Sequence, residues 1–450
     1  MQPGFTVAKS DRVKASGVKF MFRALGSRNY RLFSMAQCVS LIGTWTQQAA
    51  LGWLVYRLTG STVSLGAVAF SNQIPTLFLG PLAGIAADRF DRKRLLFLTQ
   101  GLSMVQALVL AVLVLTGTIA PWHIIVLSVF IGALNALDNP VRQAFVIEMV
   151  EKKEDLADAI PLNSALVNGA RIIGPSVAGI LIYTVGEGVC FLLNGVSYLA
   201  VLAALLAINV DGKQKIRQNG PLWSEFREEI EYVFNFKPIF AILALISVFS
   251  VAGAPYAVLM PAYVKDVLHG GGHTFGFLVS AEGIGALCAT LYLASRRSAG
   301  GLIKLIPVAA GACAMSNAAF ALSGRFMLCL FFLFLVGFSM TCHIASSNTI
   351  IQTIVDEDKR GRVMSLYTMS FMALMPFGSL IAGSLAGHIG ITETLVFGAV
   401  LCLAGASIFA MKLPGFCEFL RPVFANMENC VKEPAVSGEK LKNAPSSVIS

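Results

Sequence analysis

Apolar runs, each long enough to cross a bilayer, follow one another through most of this 450-residue chain and constrain its fold more than any other feature. A hydrocarbon core needs about 20 apolar residues per helix. Such runs lie at about 32–56, 63–87, 94–116, 121–147, 160–184 and 189–209. After a polar stretch come six more, at about 238–263, 274–294, 303–323, 326–354, 363–387 and 392–411. The pattern predicts an all-α polytopic membrane protein of twelve transmembrane helices. Its expected parts are a segment 1–31, six helices over 32–209, a linker 210–236, six helices over 237–411 and a tail 412–450. Only 13% of residues are charged, against about 25% in soluble domains, so most of the chain is expected never to meet water.

Lys and Arg orient the spans. Of the 34, 30 fall on the side shared with the N-terminus, counting both termini, the linker and the loops after spans 2, 4, 8 and 10. Arg57, Lys265 and Arg325 fall on the other side, and Arg171 lies within a span. This bias predicts both termini in the cytoplasm. It assigns the net charge of +9 to the anionic cytoplasmic leaflet rather than to nucleic acid. In the linker, Leu222, Phe226, Ile230 and Val233 recur at helical spacing between charges, which predicts an amphipathic helix on the membrane surface. Residues 1–31 lack the apolar core of a signal peptide.

The chemistry-bearing patterns of enzymes are missing. No Walker loop, His-Glu-x-x-His or Gly-x-Ser-x-Gly occurs, so neither an ATP-driven pump nor a hydrolase is expected. Seven of nine cysteines sit in apolar segments, with no Cys-x-x-Cys and no zinc spacing, so they read as apolar filler. No cofactor or metal is expected.

The halves repeat. Asn139 and Gln143 end span 4 as Asn348 and Gln352 end span 10. Gly174-Pro-Ser-Val-Ala-Gly179 followed by Gly186 matches Gly378-Ser-Leu-Ile-Ala-Gly383 followed by Gly390. Two pseudo-symmetric six-helix bundles suit alternating access around a midplane site.

The loop after span 2 reads Gly84-Ile-Ala-Ala-Asp88-Arg89-Phe-Asp91-Arg92-Lys93-Arg94. It resembles the signature loop of the major facilitator superfamily, with Asp91 where many members have Gly. A cation cluster beside a helix end can latch the facing bundle in one state and release it in the other. Span 5 carries Gly169-Ala-Arg171-Ile-Ile-Gly174-Pro175-Ser-Val-Ala-Gly179, similar to the pattern of proton-exchanging exporters of that superfamily. Gly43-Thr-Trp45, Asp138-Asn-Pro140, Arg142-Gln143 and Gly361-Arg-Val-Met-Ser-Leu-Tyr367 extend the likeness to a bacterial branch of enterobactin-exporter-like secretion proteins. The resemblance implies an inner-membrane exporter coupled to protons and does not name a ligand; a small amphipathic substrate of the drug or siderophore class and a monomeric chain are the expectations. An importer or lipid transporter of the same fold is the alternative.

Charges at membrane depth are rare and usually paired. Asp138 and Arg171 lie at similar depth on sequential spans and are expected to face each other, with Arg142 one turn from Asp138. Glu282, mid-span with no cation nearby in sequence, is the expected unpaired proton carrier, and His343 a candidate relay. Gln37, Thr44, Trp45, Gln47 and Gln48 of span 1, Asn72 and Gln73 of span 2, and Asn163 and Asn168 of span 5 are candidate cavity lining. Gly169, Gly174, Pro175, Gly179, Gly378 and Gly383 are expected to pack helices closely.

Overall fold

The computed structural model describes residues 26–149, 153–208, 236–296, 301–355 and 357–432. The amphipathic linker helix expected over 222–233 lies outside them, as do the side chains of Gly84 and Asp88. All regular elements among the described residues are helical. The amino-terminal half comprises α1 (Arg28–Thr59), α2 (Thr62–Arg89), α3 (Arg92–Leu115), α4 (Pro121–Met149), α5 (Lys153–Thr184) and α6 (Glu187–Ala207). The carboxy-terminal half comprises α7 (Lys237–Val248), α8 (Tyr256–Asp266), α9 (Gly272–Ser295), α10 (Leu302–Ser323) and α11 (Phe326–Ile354), followed by α12 (Glu357–Met372), α13 (Met375–Ile389) and α14 (Ile391–Lys432).

Eleven stretches among the described residues are long and apolar enough to cross a membrane. Of the expected spans, only the first is missing from that set. It is nevertheless a continuous 32-residue helix, and its low hydropathy has a structural cause. Gln47, buried in α1, donates to Gln106 of α3 at 3.1 Å and accepts from Asn194 of α6 at 2.9 Å. Side-chain amides that bond one another between helices can replace apolar surface without leaving polar groups unpaired.

Two spans depart from single regular helices, and a third runs longer than expected. The seventh is α7 and α8 joined through a π-helical turn, Phe249–Gly253, ahead of Pro255. Gly378 backs onto that turn, where an added Cβ would lie 2.5 Å from the Val251 carbonyl oxygen. The eleventh breaks between α12 and α13, just before Pro376, because proline cannot donate to the preceding turn. The twelfth does not stop near 411. α14 continues to Lys432, and the buried Phe416 stacks on Phe409 with ring centres 5.6 Å apart. The apolar register thus outlasts the membrane-length run.

Local signals set the helix ends. Asp91 caps α3, its Oδ1 accepting from the Arg94 backbone N–H at 3.0 Å. Gly186 and Gly390 precede the last helix of each half with nearly the same backbone, φ 86° and 105°, in a region that favours glycine. The repeat read from sequence is therefore also a repeat of backbone conformation.

Within the amino-terminal half, α1 packs on α5 and α6, α2 on α4, and α3 on α4 and α6. In the carboxy-terminal half α11 packs on α9 and α10, and α10 on α14. Two principal seams join the halves, α5 with α9 and α2 with α13, and α8 adds contacts to α1 and α2.

Candidate functional site: a cavity between the halves

A cavity of about 210 Å³ lies where the seams diverge. Trp45 and Gln48 of α1, Asn72 and Gln73 of α2, and Arg171 and Pro175 of α5 form one wall. Met260 and Pro261 of α8, Phe275 and Glu282 of α9, and Met375 of α13 form the other. The lining is chiefly apolar, with three amides and one pair of charges, as sites for amphipathic ligands are.

The charge pair joins the halves. Arg171 Nη2 donates to Glu282 Oε1 at 2.7 Å. The carboxylate is buried, its side chain 8% exposed, and it also interacts with the buried Tyr256 of α8. The Arg171 side chain is 44% exposed, and its guanidinium carbon stands 5.8 Å from the centre of the Trp45 ring. Both side chains line the cavity, Arg171 being the more exposed of the two.

This arrangement corrects two expectations. Arg171 does not face Asp138, and Glu282 is not unpaired. Asp138 Oδ2 pairs with Arg142 Nε at 3.3 Å, while Oδ1 accepts from Thr99 at 2.7 Å and Gln100 Nε2 at 2.8 Å. The reason is topological. α4 and α5 follow each other in sequence, but α5 is packed between α1 and α9, and α4 against α2 and α3. Equal depth on consecutive helices is no contact when those helices are not neighbours.

His343 does not reach the cavity. It is fully buried within the carboxy-terminal half, against Phe249 with ring centres 4.9 Å apart, and neither ring nitrogen has a hydrogen-bond partner among the described residues. Of the expected lining, Trp45, Gln48, Asn72 and Gln73 border the cavity. Gln37, Thr44 and Asn168 do not, Thr44 bonding instead to the Ser40 carbonyl at 2.9 Å.

The two halves close together at one end. At the α5–α9 seam a Cβ on Gly179 would lie 2.8 Å from Gly276 Cα, and Ser176 and Ser280 share a 2.5 Å hydrogen bond. At the α2–α13 seam a Cβ on Gly383 would lie 2.9 Å from Gly66 Cα. Phe70 meets Phe377 edge-on nearby. Tyr56 of α1 bonds Asp266 of α8 across the same end. Gly174 packs within its own half, against Trp45 of α1, and Gly169 faces open space. Gly66, Gly276, Ser280 and the Tyr56–Asp266 contact escape the sequence reading. The Gly272-x-x-x-Gly276 spacing is a signal that would have exposed part of the seam.

The opposite end carries the basic loop between α2 and α3. Arg92 pairs with Glu148 at 2.5 Å, and Lys93 Nζ donates to the Ile208 carbonyl at 2.7 Å. Arg94 approaches Asp91 at 3.9 Å, and Arg89 is exposed at the end of α2.

The family described as transmembrane secretion effector matches residues 21–436. The staphyloferrin A transporter of Staphylococcus aureus (strain NCTC 8325 / PS 47) is 26% identical over 386 residues, covering 84% of this chain and 95% of that protein. Macrolide efflux protein A of Streptococcus pyogenes is 24% identical over 391 residues, covering 83% and 93%. Among solved structures, the nucleoside transporter NupG superposes with a TM-score of 0.69 at 13% identity, covering 86% of this chain and 98% of that one.

Proposed function

The chain belongs to the transmembrane secretion effectors, transporters of the major facilitator type, and from that premise we propose that it exports a small amphipathic molecule in exchange for protons. The observation that carries this reading is the cavity built from both halves and bridged by Arg171 and Glu282. Siderophore and macrolide transporters among the relatives support the substrate class. In this reading α1 completes twelve spans, arranged as two six-helix bundles. The basic end faces the cytoplasm, with both termini there, and the address is the bacterial plasma membrane. The seams then close the external side, and the conformation is inward-facing.

Alternating access follows from what external opening must break. Opening the external side parts α5 from α9 and takes Arg171 away from Glu282. A carboxylate beside a guanidinium favours its charged form, and one stripped of that partner in a low-dielectric site binds a proton more readily. In the proposed exchange a proton is taken up from outside while the pair is parted and given up inside once the pair re-forms. That order moves protons inward once per cycle and drives substrate the other way.

The test uses sealed proteoliposomes with an imposed pH gradient and fluorescent amphipathic compounds of cationic, neutral and anionic type. Gradient-dependent movement by wild type, lost in Glu282→Gln, is the expected result. Equal movement with and without the gradient overturns proton exchange.

A further inference from the structure

We infer that the transported amphipath carries an acidic group, and that its carboxylate docks on the free edge of the Arg171 guanidinium beside Trp45. The inference rests on the reading of this cavity as the transport site. It names the charge of the ligand, which that reading leaves open.

Three observations carry it. First, the pair is asymmetric: Glu282 is 8% exposed while Arg171 is 44% exposed. A cationic ligand seeking Glu282 would have to pass an exposed guanidinium. An anion meets that guanidinium directly. Second, Arg171 has donors to spare. One nitrogen, Nη2, serves Glu282, whereas a guanidinium presents a planar fork that fits a carboxylate with two parallel bonds. Third, the surroundings suit an acid with an apolar body. Trp45 flanks the cation at 5.8 Å, while Phe275 and Met260 line the opposite wall. In so apolar a lining, a charge-assisted bond is screened little by water.

The docked anion also has a place in the cycle. External opening would leave Arg171 without its carboxylate, which is costly for a charge held away from bulk water. A ligand carboxylate already on the guanidinium replaces Glu282 as counter-ion and lowers that cost. An acidic ligand thus favours the opening step that exports it, and Glu282 is freed to take up its proton from outside.

The test is equilibrium binding to the purified full-length protein in detergent, using three probes of one shape: 1-naphthaleneacetate, 1-naphthaleneacetamide and (1-naphthylmethyl)trimethylammonium. The carboxylate is expected to bind roughly tenfold or more tighter than the amide, the equivalent of one charge-assisted hydrogen bond, and the ammonium weakest. Arg171→Gln is expected to erase the preference. Glu282→Gln is expected to tighten carboxylate binding, because the competing anion is gone. A merely structural pair would lose binding in both variants. Equal binding of the three probes by wild type, preference for the ammonium, or no binding of any probe overturns the inference without reference to either variant. Because no gradient is used, the outcome is separate from that of the transport assay. Gradient-driven export of uncharged dyes with no acid preference in binding would sink this inference alone.

Discussion

Gly179 of α5 and Gly276 of α9 meet backbone to backbone across the two halves, so close that a Cβ on either would lie 2.8 Å from the other's Cα. Neither backbone can yield as a flexible side chain would. Gly276→Val is therefore expected to wedge the external end open, with overpacking of about 1–3 kcal/mol against the closed form. The closed-to-open ratio should fall roughly five- to 150-fold. Spin labels across the α5–α9 seam, read by pulsed distance measurement, would register this as growth of a longer distance. An unchanged distribution would mean that the seam is not what holds this end shut.

Ser176 and Ser280 sit one turn from those glycines with their hydroxyls 2.5 Å apart. Cysteines placed at both positions, in a chain cleared of its nine native cysteines, should form a disulfide readily, since the side chains already touch. Oxidation is expected to stop transport completely and reduction to restore it. Undiminished transport in the fully oxidised protein would show that the seam need not part in the cycle.

Asp91 makes a more local prediction. It occupies a place where a glycine is frequent in the resembling superfamily loop, and it caps α3 through the Arg94 N–H. Asp91→Ala should cost about 1 kcal/mol and Asp91→Gly only a few tenths, because glycine is itself a tolerable cap. Thermal unfolding in detergent separates the two. Equal losses would shift the role of Asp91 from the cap to its charge.

How far the sequence could be read follows from the range of each interaction. Hydropathy is local, so eleven of the spans are legible as runs, and the glycines at 186 and 390 are legible as a repeat because both face the same backbone demand. The first span is legible as a span but not as a polar core, since Gln47 finds Gln106 and Asn194 on distant stretches of chain. Partners are the illegible part. Arg171 and Glu282 are 111 residues apart, and which face of α5 meets which neighbour depends on the packing order of helices rather than on their order in sequence. Depth alone therefore paired Arg171 with the wrong carboxylate. The break before Pro376 follows a local proline, whereas the length of α14 goes with Phe416, which is buried in the hydrophobic cluster of the carboxy-terminal half.

The two buried carboxylates should accordingly behave differently when neutralised. Asp138 is held by Arg142, Thr99 and Gln100, all in its own half, so no rearrangement between the halves needs to break its bonds. Glu282 is held by Arg171 from the other half, so in the proposed cycle each parting of α5 from α9 breaks its bond. Asp138→Asn removes charge-assisted hydrogen bonds and leaves Arg142 without its counter-ion, a loss of about 1.5–3 kcal/mol of stability. Folded Asp138→Asn protein should nevertheless keep its ratio of protons to substrate. Glu282→Gln should keep most of its stability, since the amide still accepts from Arg171, and lose the dependence of transport on the pH gradient. Melting temperature and gradient-dependent flux, measured on both variants, resolve the two roles. If Asp138→Asn were the variant that uncoupled transport while Glu282→Gln stayed coupled, the proton site would have to be moved into the amino-terminal half, and the ion pair across the seam would be left with a purely mechanical part.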